Sequence, residues 1–357
     1  MQELPFLALD CKRIYEFIGY VCKLEEMKDV DNDSSKKNKY IIIQQLPQKK
    51  HRKWLNSTWI PRILFVVVIA FVMIDGHHRT VEINNSIGVN VGEPLEMAII
   101  YTLSLLGILG VHELGHIVAA RYHKLKTTWP YFIPGIPIFG IVPTFGAFIQ
   151  SRGLTINREI LFDVAIAGPI AGLVIAIIVS LYGAYTMPSI DNIINQVEDG
   201  RKIIELPVIP YGNPLLFTGT LALFDKDTQF IVYTPVLWAA WIGFLITFLN
   251  LLPAWQLDGG HMARTLLGIK LHMYATFGSI GILILLNFWP MAMLILVLSI
   301  RNSSANPLDD ISTLTRNRKL AYIGVVMLAV LCAPLPENLC TSFMQDLCIE
   351  FSKFGLS

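Results

Sequence analysis

Hydrophobic positions along the chain fall into long blocks with few charges rather than alternating or narrow-striped patterns. The blocks at 60–74, 98–122, 164–185, 235–252 and 320–335 are largely apolar on every face, as expected of helices surrounded by lipid or by other apolar helices. A further block, 275–301, reads as one long tilted helix or, because Trp289 and Pro290 stand near its middle, as a hairpin of two short spans. The segment 129–150 is apolar but interrupted by Pro130, Pro134, Pro137 and Pro143 and by Gly135, Gly140 and Gly146, which no regular spanning helix tolerates. It reads as a re-entrant or interfacial loop, whose irregular backbone must be buried in protein or line a wet cavity. The expected fold class is an all-α polytopic membrane protein with about six or seven transmembrane helices, a re-entrant, β-like loop and a small polar N-terminal cap. Three regions follow: the cap at 1–57, a transmembrane domain at 58–335 and a C-terminal tail at 336–357.

The polar intervals orient these blocks. Eleven Lys or Arg residues precede position 60, whereas 75–94 carries only Arg79. The positive-inside rule therefore puts the N-terminus in the cytoplasm and 75–94 outside. Arg121, Lys124 and Lys126 mark the return of the second span to the cytoplasm. Arg301, Arg316, Arg318 and Lys319 favour a second return after 275–301, so that 320–335 crosses outwards. The interval 186–234 is mixed in charge and external, with Pro207, Pro210 and Pro214 arguing against a helix. Within the cap, 40–43 reads as a short strand, 29–39 as a solvated loop and 48–53 as a basic cluster. The first fifty residues are polar and mixed in charge, so neither a cleavable signal peptide nor a transit peptide is expected.

Composition agrees. Hydrophobic residues are 54% of the chain and charged ones 15%, against roughly a quarter charged in a soluble domain. A net charge of +1 argues against a nucleic-acid partner, on whose binding surface a basic face would dominate. The expected partners are the lipid bilayer and a protein within it. None of the five cysteines shows paired short spacing. Cys340 and Cys348 lie in the tail, where either a disulfide or two free thiols is consistent with the sequence.

Candidate chemistry concentrates at Val111–His116, V-H-E-L-G-H, inside the second block. On a helix His112 and His116 project from nearly one face, where both imidazoles can reach one metal ion, with Glu113 beside them. Zinc held by three protein groups keeps a position for water, and an adjacent carboxylate can take that water's proton. Ionisable groups at this depth are costly unless paired or functional. Asp258, on a glycine-rich turn that follows the break at Pro253, is the natural candidate for a third ligand, the alternative being a solvated aspartate in an ordinary turn. His261 is a possible fourth ligand, disfavoured because a closed tetrahedral site leaves no catalytic position. His77 and His78 read as solvated loop residues. Residues 146–150 can offer a strand edge to an extended peptide or form a merely structural loop.

With these residues in view, the sequence resembles the site-2 protease family of intramembrane zinc metalloproteases. The resemblance rests on H-E-L-G-H at His112–His116, A-G-P-I-A-G at Ala167–Gly172 and N-L-L-P-A-W-Q-L-D-G-G at Asn250–Gly260. P-Y-F-I-P from Pro130, G-A-F-I from Gly146 and N-P-L-D-D-I from Asn306 are similar to archaeal members and to the plant chloroplast proteins linked to ethylene-dependent gravitropism. Together these motifs cover roughly 59–335 in the expected order. The resemblance implies one Zn²⁺ bound by His112, His116 and Asp258, Glu113 as general base, and Asn250 as a group that polarises the scissile carbonyl. It also implies a transmembrane protein substrate that partly unwinds beside Gly146, Ala147, Phe148 and Ile149, and a prokaryotic cell membrane as the location. The chain departs from the family in lacking a PDZ-like insert and a CBS pair. It also carries Gly172 where many members have Asn, so the third block offers no polar substrate contact there.

Two other classes compete. Intramembrane His, Glu and Asp also suit a transporter or channel with a metal or proton pathway, although no internal repeat is evident. A catalytically dead scaffold is the other, and it is hard to reconcile with a full set of candidate catalytic residue types.

Overall fold

A computed structural model describes residues 20–28, 37–45, 59–87, 90–125, 127, 130–135, 144–148, 157–188, 212–226, 231–301 and 314–335. Basic cluster 48–53, the motif from Asn306, Cys340, Cys348 and the tail lie outside them. In the cap, β1 (Tyr20–Lys28) pairs antiparallel with β2 (Lys37–Gln45), from Tyr20 opposite Gln45 to Lys28 opposite Lys37. The expected strand at 40–43 thus falls within a longer hairpin.

The membrane part opens with α1 (Trp59–Ile87) and α2 (Pro94–Tyr122). Each has 29 residues, or about 43 Å at the helical rise, more than the thickness of a hydrocarbon core. α1 corrects the expectation of a linker from position 75, because the helix continues through the charged turn. Arg79 Nε donates to Asp75 Oδ2 at 2.9 Å one turn away, and Tyr101 of α2 donates its hydroxyl to the same oxygen at 2.7 Å. Arg79 also stacks over the Trp238 ring at 4.4 Å. Asp75 and Arg79 are thereby satisfied without interrupting the helix. His77 and His78 are exposed on α1.

The proline-rich segment contributes β3 (Tyr131–Pro134) and β4 (Thr144–Phe148), an antiparallel pair with Tyr131 opposite Phe148 and Phe132 opposite Ala147. β3 packs on α1, where Phe132 and Phe65 have ring centroids 4.9 Å apart. α3 (Arg158–Thr186) begins six residues before the apolar block because Asn157 caps it, accepting from the Ile160 N–H at 2.9 Å. A short α4 (Leu215–Ala222) follows the two-residue strand β5 (Asn213–Pro214). This corrects the expectation of no helix in that interval: Pro214 occupies the N-cap, where its missing N–H costs nothing.

α5 (Pro235–Leu251) lies at the centre, with 14 of its 17 residues buried. It packs against α2 and α3 around Tyr101, Leu105, Ile108, Leu173, Ala176, Trp241 and Phe244. α6 (Asp258–Leu285) starts far earlier than the block at 275 suggested and is broken at Gly268, whose φ of 78° belongs to glycine. A turn with Asn287 at φ 65° then leads to α7 (Trp289–Arg301). The block 275–301 is thus divided between the end of α6 and α7 by a break at 286–288. α8 (Arg316–Leu331) ends at β6 (Pro334–Leu335), which pairs with β5. Among the described residues, α1, α2, α3 and α6 are long and apolar enough to cross a membrane.

Candidate metal centre

α2 and α3 run antiparallel, which sets His112 and His116 against the small residues of the A-G-P-I-A-G stretch. Gly172 faces His112, and a Cβ there would stand 3.0 Å from the histidine Cβ and 3.1 Å from its Nδ1. A Cβ on Gly168 would collide with the His116 ring. Two glycines four residues apart therefore make room for two imidazoles four residues apart. The smallness of Gly172 serves the histidine beside it, a role its departure from the family pattern did not suggest.

Asp258 reaches this place from the first turn of α6. The chain leaves α5 at Leu251 and doubles back, and Gly259 lies so close to the Leu251 and Leu252 carbonyls that any side chain would strike them. That close approach aims the Asp258 carboxylate at the histidines. Its Oδ2 lies 3.3 Å from His112 Nε2 and 3.2 Å from His116 Nε2, and the two Nε2 atoms are 3.2 Å apart. A tetrahedral zinc with bonds of about 2.0–2.1 Å has ligand atoms roughly 3.3 Å from one another. The nearly equilateral triangle matches that spacing, and its three donors are of the types zinc takes.

The surrounding groups fix this geometry. His116 Nδ1–H donates to the Val164 carbonyl at 2.7 Å, which leaves Nε2 as the lone-pair nitrogen facing the triangle. Asn250, near the end of α5, has its amide nitrogen 3.4 Å from His112 Nε2. Glu113 is buried next to His112 and within electrostatic reach of His116 and Asp258. His261 is also within electrostatic reach of Asp258 and His116, but the cluster found among the described residues has three members and does not include it. Gly146, Ala147 and Phe148 lie in β4, which among the described residues pairs with β3 alone. Ile149 lies outside the described residues.

Sequence reasoning missed the Val164 carbonyl, since a backbone acceptor carries no side-chain signature. It also missed the opposition of the two glycines to the two histidines, which their equal spacing on successive spans could have revealed.

The chain is similar in sequence to known proteins. The chain is 31% identical over 265 residues to the probable chloroplastic zinc metalloprotease EGY2 of Oryza sativa, covering 71% of this chain and 46% of that protein. It is 26% identical over 264 residues to the probable chloroplastic zinc metalloprotease EGY1 of Arabidopsis thaliana, covering 69% and 46%. An uncharacterised protein of Methanocaldococcus jannaschii is 26% identical over 208 residues, covering 45% and 55%. The chain thus spans about half the length of the curated plant relatives it matches. The model of peptidase family M50 matches residues 100–288, a segment that contains the histidine helix, the glycine stretch and Asp258. With that match over half the sequence, the chain belongs to peptidase family M50 and is an integral membrane protein.

Proposed function

We propose that the chain is an intramembrane zinc metalloendopeptidase that hydrolyses a peptide bond within or next to a transmembrane helix of another membrane protein. In this reading His112, His116 and Asp258 are the zinc ligands, Glu113 is the general base and Asn250 contacts the scissile carbonyl. The observation that carries it is the triangle of 3.2 to 3.3 Å edges, set within helices long enough to span a bilayer. Zinc bound there supplies a Lewis acid with an open position, at which water becomes acidic near neutral pH.

The chain's own groups do the rest. Glu113 accepts the proton of that water and passes it to the departing amide nitrogen. Asn250 turns its N–H from His112 to the carbonyl oxygen as negative charge develops there. Val164 holds the His116 ring in one tautomer throughout. A transmembrane helix has no unpaired backbone to offer, so the substrate unwinds locally and pairs with β4 at 146–148 as an added strand.

Arg121 at the end of α2, Arg158 at the start of α3 and Arg316 at the start of α8 gather on the side nearer the metal centre. This side and the N-terminus are cytoplasmic in our reading. Transport has less support, because Leu105, Ile108, Leu173, Trp241 and Phe244 are packed together beyond the centre. The test is Glu113→Gln in purified protein with a single-span substrate. Zinc is expected to stay bound while cleavage falls by roughly 10²- to 10⁴-fold. Undiminished cleavage by that variant overturns the assignment.

A further inference from the structure

The Val164 carbonyl that holds His116 follows directly on Asp163, whose carboxylate is held from two other parts of the fold. Arg318 of α8 grips it with two parallel bonds, Nε to Oδ1 and Nη2 to Oδ2, both at 2.8 Å. The third arm of the same guanidinium, Nη1, meets Glu159 Oε1 at 2.8 Å, one turn earlier on α3. His123 Nε2, just past the end of α2, lies 3.2 Å from Asp163 Oδ2. The Thr315 N–H adds a bond to Glu159 Oε1 at 3.3 Å. Behind this polar knot Leu314 and Val325 pack in a small apolar cluster with Phe162, Ala165, Leu251 and Met262. One guanidinium therefore joins two turns of α3, and through Asp163 the end of α2. It does so from a helix outside the segment matched to the family.

Gly168 and Gly172 let α3 approach α2 until its backbone lies against the His116 and His112 rings, so the position of α3 bears directly on both imidazoles. A small rotation of α3 would carry the Val164 carbonyl away from His116 Nδ1. We infer that Arg318 is a positioning residue for the metal centre: by fixing Glu159 and Asp163 it holds the Val164 carbonyl against His116. An isolated exposed ion pair is worth little, but here the contact is bidentate, part-buried and shared among three helices. The inference rests on the zinc reading above.

The test measures zinc affinity by chelator competition, the visible spectrum of the Co²⁺-substituted protein, and kcat and KM separately. It compares wild type with Arg318→Met, Arg318→Lys, Asp163→Asn and, as a control of equal charge, Arg316→Met at an exposed position of the same helix. Thermal unfolding and elution in detergent separate a folding defect from a site defect. Arg318→Met is expected to weaken zinc binding about tenfold or more, perturb the Co²⁺ spectrum and lower kcat with KM unchanged. Arg318→Lys should recover only part, since an ammonium cannot form the fork. Adding Asp163→Asn to Arg318→Met should cost little more than either alone. Arg316→Met should behave as wild type. A wild-type spectrum and zinc affinity in folded Arg318→Met, or an equal loss in Arg316→Met, overturns the inference alone. A wild-type chain that takes up no zinc overturns it together with the functional reading.

Discussion

At the scale of single residues, the metal centre is a matter of space as much as of ligands. His112 and His116 are legible in the sequence because their spacing has one geometric consequence on a helix. The space they occupy is written on another helix, at Gly172 and Gly168, and is legible only once the two helices are known to be antiparallel. Gly168→Ala is therefore expected to weaken zinc binding at least tenfold, since its Cβ would collide with the His116 ring. Gly107→Ala, where a Cβ meets nothing within 4 Å, should leave affinity unchanged. Chelator competition on both variants checks this, and equal affinities would contradict it. Asp258 illustrates the opposite case. Its glycine-rich turn marked it as a candidate, but only the fold shows that Gly259 must touch the Leu251 and Leu252 carbonyls to aim it.

At the scale of elements, hydropathy blocks located the cores of α1, α2, α3 and α5 and misjudged where several helices begin or end. The errors share a cause: helices extend into polar sequence wherever another element satisfies the polar groups. α1 runs through Asp75 and Arg79 because Tyr101 and Trp238 receive them. α3 begins at Arg158 because Asn157 caps it and Arg318 pairs with Glu159 and Asp163. Apart from the adjacent Asn157 cap, these partners are distant in sequence, so a local reading has no access to them. Asp75→Ala is expected to lower stability by about 2 kcal/mol, the loss of charged hydrogen bonds to Arg79 and Tyr101, with kcat and KM unaltered. Thermal unfolding in detergent, alongside a cleavage assay, measures both. A loss of kcat without a loss of stability would show that this latch acts on the site instead.

At the scale of the whole molecule, the class of fold was legible in the long apolar blocks, and the family in the resemblance carried by the motifs at His112–His116, Ala167–Gly172 and Asn250–Gly260. The number of crossings was less so. α5 and α8 have 17 and 16 residues and α7 has 13, shorter than a regular span, and α6 is broken at Gly268. The centre nonetheless has a clear position: His116 lies six residues before the end of α2 at Tyr122, or about 9 Å along the axis. In proteoliposomes of known orientation, a membrane-impermeant chelator should remove zinc when added on the side of Arg121 and Arg316. Equal removal from the opposite side alone would reverse the proposed access route. The most direct measurement is X-ray absorption at the zinc edge of the purified protein, paired with Asp258→Ala. Two imidazole nitrogens and a carboxylate oxygen at about 2.0–2.2 Å are expected, with the oxygen contribution reduced in the variant. A zinc shell containing sulfur, or one unchanged by removal of Asp258, would contradict the convergence of one helix's histidines and a distant carboxylate on a single ion.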